Sequence, residues 1–62
     1  MTGKELKTLR KQRGLTQKQF SEVLGVELRT YQNWEVKDTL LERNAYYVKL
    51  ILKKDDELHS KT

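Results

Sequence analysis

Residues 15–35, LTQKQFSEVLGVELRTYQNWE, decide the fold of this chain. Apolar side chains recur at intervals of three and four on either side of Gly25, which is the spacing of one face of an α-helix. We therefore predict two short helices that pack together through an apolar wedge. The wedge positions are Leu15, Phe20, Val23, Leu24, Val26, Tyr31 and Trp34. The positions left on the outer side are Gln17, Lys18, Leu28, Arg29, Thr30 and Asn33.

Capping signals predict where these two helices begin and end. Thr16 and Gln19 form a capping box, in which each side chain binds the backbone amide of the other residue. A helix over residues 17–24 follows. Gly25 then permits a sharp turn, because glycine adopts the left-handed conformation at little cost. The second helix is expected over about residues 27–36.

The N-terminal segment carries a second capping box, formed by Thr2 and Glu5. The helix that it opens is expected to run to about Arg13. Gly14 then closes that helix, because a glycine after the last turn is a common C-terminal signal.

The C-terminal segment predicts one more helix, with Thr39 and Glu42 as a third capping box and an end at about Lys54. Beyond it, acidic side chains would oppose the helix dipole, so residues 55–62 are predicted to form a short polar tail. The fold class expected for residues 1–54 is all-α: a compact bundle of four helices, with five as the alternative. The apolar stripe of the last helix comprises Leu40, Leu41, Ala45, Tyr47, Val48, Ile51 and Leu52.

Length and composition limit what the chain can do. A chain of 62 residues forms one small domain, and without cysteine it has neither disulfides nor thiolate metal sites. A domain of this size buries only about 60% of its unfolded surface, so it needs regular helix packing or a partner subunit. The longest nearly apolar stretch, residues 46–52, is too short to span a membrane. We expect a soluble, cytoplasmic protein.

The charge distribution favours a polyanionic partner. Thirteen Lys and Arg residues against nine Asp and Glu residues give a formal net charge of +4. A basic surface that serves only solubility explains the charge equally well. The residues that make the N-terminal third basic are Lys4, Lys7, Arg10, Lys11, Arg13 and Lys18.

No group of residues in the sequence has the spacing of a catalytic or metal site. The single histidine, His59, has no second metal ligand or nucleophile near it in the sequence. Asp55 and Asp56 are neighbours that would point in different directions on a helix, so they do not form a general acid and base pair. Glycine-rich phosphate loops and zinc spacings are absent as well. We expect no enzyme activity, metal, cofactor or small-molecule ligand.

The segment GLTQKQFSEVLGVELRTYQNWE resembles the helix-turn-helix of the Cro and C1 type phage repressors and their XRE-family relatives. The resemblance covers roughly residues 4–37. It rests on a combination of the LTQ entry, the Gly25-Val26 turn and the RTYQNWE exit, together with Phe20, Ser21 and Leu24. It implies a fold of the phage-repressor DNA-binding type, with the helix-turn-helix at about residues 17–36.

The resemblance also implies roles for individual residues. Gln17 matches a position that contacts the DNA backbone, whereas Leu28, Arg29 and Asn33 match positions that face base edges. Arg10 and Glu35 match an interior pair, so we expect a structural ion pair between them. Apart from the resemblance, we expect further backbone contacts from positively charged or hydroxyl side chains, so the full set is Gln17, Lys18, Thr30, Lys37 and Arg43.

The chemistry of the expected base-contacting residues supports these roles to different degrees. Arg29 can donate two hydrogen bonds to guanine, and Asn33 can pair with adenine or bind a phosphate. Leu28 fits a thymine methyl group, and Glu27 can accept from the exocyclic amine of cytosine. For Arg29 the alternative is a solvated surface arginine, and an isolated exposed leucine such as Leu28 is also ordinary. The alternative for Glu27 is a weak cap whose charge repels phosphate.

The sequence departs from the family pattern in two places. Glu27 stands where the family usually has a serine or threonine cap, so the cap of the third helix is weaker. Residues 36–38 lack the glycine and proline that often follow the glutamate, which leaves the loop conformation open.

Tyr46 and Leu50 fall outside the apolar stripe of the last helix and lie four residues apart. We expect a dimer contact there, with a thicker core as the alternative. The hypothesis for function is a sequence-specific double-stranded DNA-binding regulator from a phage or bacterial setting. It would act as a small repressor or autoregulator, as a homodimer on a pseudo-palindromic operator. The alternative is an antitoxin-like protein-interaction module on the same scaffold.

Overall fold

The computed structural model describes residues 1–59, with the side chains of residues 1–58. Within this range the chain forms helices and no strands, so the all-α prediction is confirmed. The four helices are α1 (Gly3–Gln12), α2 (Gln17–Leu24), α3 (Leu28–Glu35) and α4 (Glu42–His59).

Two of the three predicted capping boxes are present. The Glu5 amide donates to Thr2 Oγ1 at 3.1 Å, and the Gln19 amide donates to Thr16 Oγ1 at 3.1 Å. In both boxes the return bond to the cap amide forms as well. α2 ends at Gly25, which has a φ of 71° and is therefore in the left-handed conformation predicted for it. Residues close to each other in sequence thus determine where α1 and α2 begin and where α2 ends.

The core lies between the four helices. Phe20 and Tyr31 meet edge to face inside it, with ring centroids 5.5 Å apart and ring planes at 86°. α2 and α3 have eight residues each, which is too short for a stable isolated helix, so packing on this core maintains them. The predicted wedge is largely buried, and Leu15, Val23 and Val26 pack at its edge. The buried apolar residues are Leu6, Phe20, Leu24, Tyr31, Trp34, Leu40, Ala45, Val48 and Leu52.

α4 extends to His59, so the predicted end at Lys54 is wrong. The physical reason lies in a contact between distant parts of the chain. Arg13, at the end of α1, forms two hydrogen bonds with the Asp56 carboxylate, at 2.9 and 3.2 Å. This ion pair offsets the unfavourable position of an acidic side chain near the C-terminal end of a helix. Residues 60–62 of the predicted tail, and the His59 side chain, lie outside the described residues.

The predicted start of α4 also needs correction. The helix begins at Glu42, and the carbonyl of Leu41 accepts from the amides of Asn44 and Ala45. Thr39 is therefore too far from the first turn to cap it. Leu41, which was expected in the apolar stripe, is 54% exposed because it precedes the helix.

Tyr47 was also expected in the stripe, but it lies at the margin of the core. The residue is 38% exposed, and its hydroxyl donates to the Leu24 carbonyl at 2.6 Å. The hydrogen bond gives the hydroxyl a partner at the C-terminal end of α2, so Tyr47 links α4 to α2.

The loop after α3 is held against the start of α1. The Gly3 amide donates to the Lys37 carbonyl at 2.9 Å, and the Leu40 amide donates to the Met1 carbonyl at 2.9 Å. A Cβ atom on Gly3 would lie 2.3 Å from the Glu35 carbonyl oxygen, so the close approach requires glycine. Backbone bonds to residues 1–3 therefore hold this loop, which has neither the glycine nor the proline usual in the family.

Candidate nucleic-acid interface

One side of α3 faces away from the core. Tyr31 and Trp34 are buried on the inner side, and residues on the other side follow the helical repeat of about 100° per residue. Thr30 is half-buried at one edge, next to the inner side. We call the exposed set the α3 outer face, and it consists of Leu28, Arg29, Gln32 and Asn33.

Glu27 lies just before α3, in the N-cap position. Its backbone is extended, and its side chain makes no capping hydrogen bond. The carboxylate therefore remains exposed at the start of the outer face, where the weak cap was expected.

The side chain of Glu35, at the end of α3, lies at the centre of a buried polar network. Its Oε2 accepts from Arg10 Nε at 2.8 Å and from the Tyr31 hydroxyl, and its Oε1 accepts from Gln17 Nε2 at 3.0 Å. The Glu35 and Arg10 side chains are only 5% and 12% exposed. Arg10 also donates to the Leu15 carbonyl at 2.9 Å. The Arg10–Glu35 pair is thus present and connects α1 to α3, and the bond from Gln17 adds α2 to the network.

The network changes the acidity of its members. Burial favours the neutral form of Glu35, but the bonds from Tyr31, Gln17 and Arg10 outweigh burial and lower its pKa. Burial and the bond to Glu35 both raise the pKa of Tyr31. The hydrogen bond to Glu35 raises the pKa of Arg10. Glu35 is consequently a carboxylate at neutral pH, and all three of its partners are donors.

The network reaches the surface through Gln17. Gln32 Nε2, on the α3 outer face, donates to Gln17 Oε1 at 3.2 Å. The structure therefore brings Gln17, the expected backbone contact of α2, next to the outer face. Gln32 was not among the site residues predicted from the sequence. The available signal was its spacing, one helical turn after Leu28, and spacing alone does not reveal a partner on another helix.

The charged residues among the other expected backbone contacts lie on three separate elements. Lys18 is exposed in the first turn of α2, Lys37 on the loop after α3, and Arg43 in the first turn of α4. Within residues 1–59, no hydrogen bond or ion pair joins the side chain of Lys37 or Arg43 to α3. Their positions leave both side chains accessible to a phosphate backbone.

Tyr46 and Leu50 lie on an exposed side of α4. Tyr46 is 68% exposed and Leu50 is 39% exposed. The alternative of a thicker core is therefore wrong for a single copy of the chain, and this apolar pair faces solvent.

Comparison with known families identifies the fold. The helix-turn-helix family model matches residues 6–41, which is more than half of the chain. The chain belongs to the Cro/C1-type helix-turn-helix family, also called the XRE family. Comparison with curated proteins and with solved structures gave no significant match. As a member of this helix-turn-helix family, the protein is a DNA-binding regulator.

Among residues 1–59, no helix combines the length and the apolar character needed to cross a membrane. In the same range, no three His, Cys, Asp or Glu residues lie close enough together to hold a metal ion.

Replacing Glu35 with Gln removes the carboxylate and keeps its shape. We expect the free energy of unfolding at pH 7 to fall by about 3 kcal/mol, because Arg10 stays buried without its counter-ion. Because the pKa of Glu35 is lower in the folded protein, this carboxyl group binds a proton more readily in the unfolded chain than in the folded one. The contribution of the ionised Glu35 side chain to the free energy of unfolding is therefore complete above about pH 5. It is lost as the pH falls below the ordinary glutamate pKa. Urea unfolding followed by circular dichroism at several pH values measures the difference.

The difference in the free energy of unfolding between the wild type and the Glu35→Gln variant should become smaller as the pH falls from about 5 to about 3. Asp56→Asn is a matched control, because it removes a carboxylate from an exposed ion pair, which is worth less than about 1 kcal/mol. If the difference in the free energy of unfolding for Glu35→Gln stays constant or grows at low pH, the role assigned to the charge of Glu35 is contradicted.

Proposed function

We propose that this protein is a sequence-specific regulator of transcription that binds double-stranded DNA as a homodimer. The α3 outer face is the observation that carries the proposal. It presents hydrogen-bonding side chains to solvent on a helix whose inner side is fixed by Tyr31 and Trp34. An α-helix fits the major groove of B-form DNA, where each base pair displays a distinct pattern of donors and acceptors.

Individual side chains of the outer face suit different bases. Arg29 donates two hydrogen bonds to the O6 and N7 atoms of guanine, which gives discrimination of about 1–3 kcal/mol. Asn33 lies one turn later and pairs with the N6 and N7 atoms of adenine. Leu28, which is 37% exposed, packs against a thymine methyl group, and Glu27 accepts from a cytosine amine.

Contacts to the DNA backbone position the protein on the duplex without reading its sequence. Gln17 supplies an amide donor near the start of α2, and Lys18, Lys37 and Arg43 supply positive charge around α3. Thr30 supplies a hydroxyl at the other edge of the outer face. The charged contacts release counterions, so they make binding depend on salt.

A homodimer would present two copies of α3 to successive turns of a pseudo-palindromic operator, about 34 Å apart. The exposed pair of Tyr46 and Leu50 on α4 supports this assembly, because a two-fold interface buries the same apolar patch from both copies. A dimer bound at an operator would block polymerase sterically. We therefore favour the role of a small repressor or autoregulator.

Replacing Arg29 with Ala should weaken binding to a cognate duplex by about 1–3 kcal/mol per protomer and relax the preference at one base position. Arg29 is exposed, so folding should be unaffected. Arg29→Lys is the matched control, because lysine keeps the charge but cannot form the bidentate hydrogen bonds of arginine. This variant should retain non-specific affinity for DNA and lose the base preference. Titration against the cognate duplex and single-base variants measures both effects. Unchanged affinity and preference in Arg29→Ala would rule out this role for α3.

Replacing Tyr46 with Asp should shift the protein from dimer to monomer, because it places a charge in the centre of an apolar contact. Thr8→Asp adds the same charge at an exposed site on α1 and should leave the dimer intact. Analytical ultracentrifugation with and without the operator duplex gives the stoichiometry. A Tyr46→Asp protein that still forms the wild-type dimer would place the interface elsewhere.

A further inference from the structure

The Gln17 side chain is held from two sides by residues of α3. Its Nε2 donates to Glu35 Oε1 at 3.0 Å, and its Oε1 accepts from Gln32 Nε2 at 3.2 Å. Glu35 is anchored in turn by Arg10 and Tyr31. A chain of hydrogen bonds therefore runs from the buried ion pair to the exposed outer face of α3.

The chemistry of the partners fixes the orientation of the Gln17 amide. A carboxylate can only accept hydrogen bonds, so the NH2 group of Gln17 must face Glu35. The carbonyl oxygen of Gln17 is then turned toward Gln32, which must donate to it. Reversing the amide would place oxygen against oxygen at Glu35. One N–H of Gln17 Nε2 is used by Glu35, and the other is left for a partner outside the network.

We propose that Gln32 is a positioning residue for DNA binding, which acts by holding Gln17 in the orientation that donates to a DNA phosphate. This inference rests on the proposed backbone contact of Gln17. A free glutamine loses side-chain freedom when it binds, whereas a Gln17 held by Glu35 and Gln32 has lost much of that freedom before DNA arrives. Gln32 also joins the helix that carries the base-contacting residues to the helix that carries the phosphate contact.

The test is a double-mutant cycle on binding to the duplex that wild-type protein enriches from a random pool. Gln17→Ala should weaken binding about tenfold per protomer, the loss expected for one hydrogen bond to a charged group. Gln32→Ala should weaken it about threefold per protomer, because Gln17 regains side-chain freedom. In the Gln17→Ala background, Gln32→Ala should have no further effect.

Three further measurements separate positioning from loss of structure. Gln12→Ala is a matched control, because Gln12 is an exposed glutamine at the end of α1. The Gln12→Ala protein should bind the duplex with wild-type affinity. Urea unfolding should show equal stability for Gln32→Ala and Gln12→Ala. The salt dependence of binding and the base preference should match the wild type in Gln32→Ala, because a neutral amide releases no counterion.

Each other result overturns the inference. If Gln32→Ala binds with wild-type affinity, Gln32 does not position Gln17. If Gln32→Ala still weakens binding in the Gln17→Ala background, Gln32 contacts DNA directly. If Gln17→Ala itself binds normally, the backbone role of Gln17 fails together with the inference, while the role of Arg29 stands or falls on its own variants.

Discussion

The structure depends on the buried carboxylate of Glu35. A charge in the interior is costly unless it is paired and hydrogen-bonded, and here the donors come from α1, α2 and α3 itself. The three short helices must therefore stay within hydrogen-bonding distance of one point. Desolvation offsets much of the attraction in a buried pair, so we assign the network chiefly to helix orientation rather than to net stability. It holds the end of α3 while the core holds its inner side, and the outer face is presented as a rigid surface.

Signals between residues close in sequence predicted most of the fold. The capping boxes at Thr2 and Thr16 and the turn at Gly25 predicted where α1 and α2 begin and where α2 ends, because each uses atoms within a few residues. The spacing of apolar residues predicted which side of α3 is buried. The family resemblance, and not the residue pattern, implied the pair of Arg10 and Glu35.

Features that depend on contacts between distant residues were missed. Asp56 was expected to end α4, but its partner Arg13 is on another helix. Leu41 was assigned to the core because the start of α4 was placed too early. The bond from Gln32 to Gln17 joins two helices whose relative position the sequence does not state. The contacts of the outer face with DNA remain predictions, since they involve a molecule outside the chain.

The central claim is that the α3 outer face reads a specific DNA sequence. Selection of duplexes from a random pool by the wild-type protein, followed by a salt titration of the selected duplex, tests this claim most directly. We expect an enriched motif with two related half-sites, and a preference for that motif which persists while affinity falls as the salt concentration rises. Binding that falls with salt without any enriched motif would show attraction to charge alone and would contradict the account.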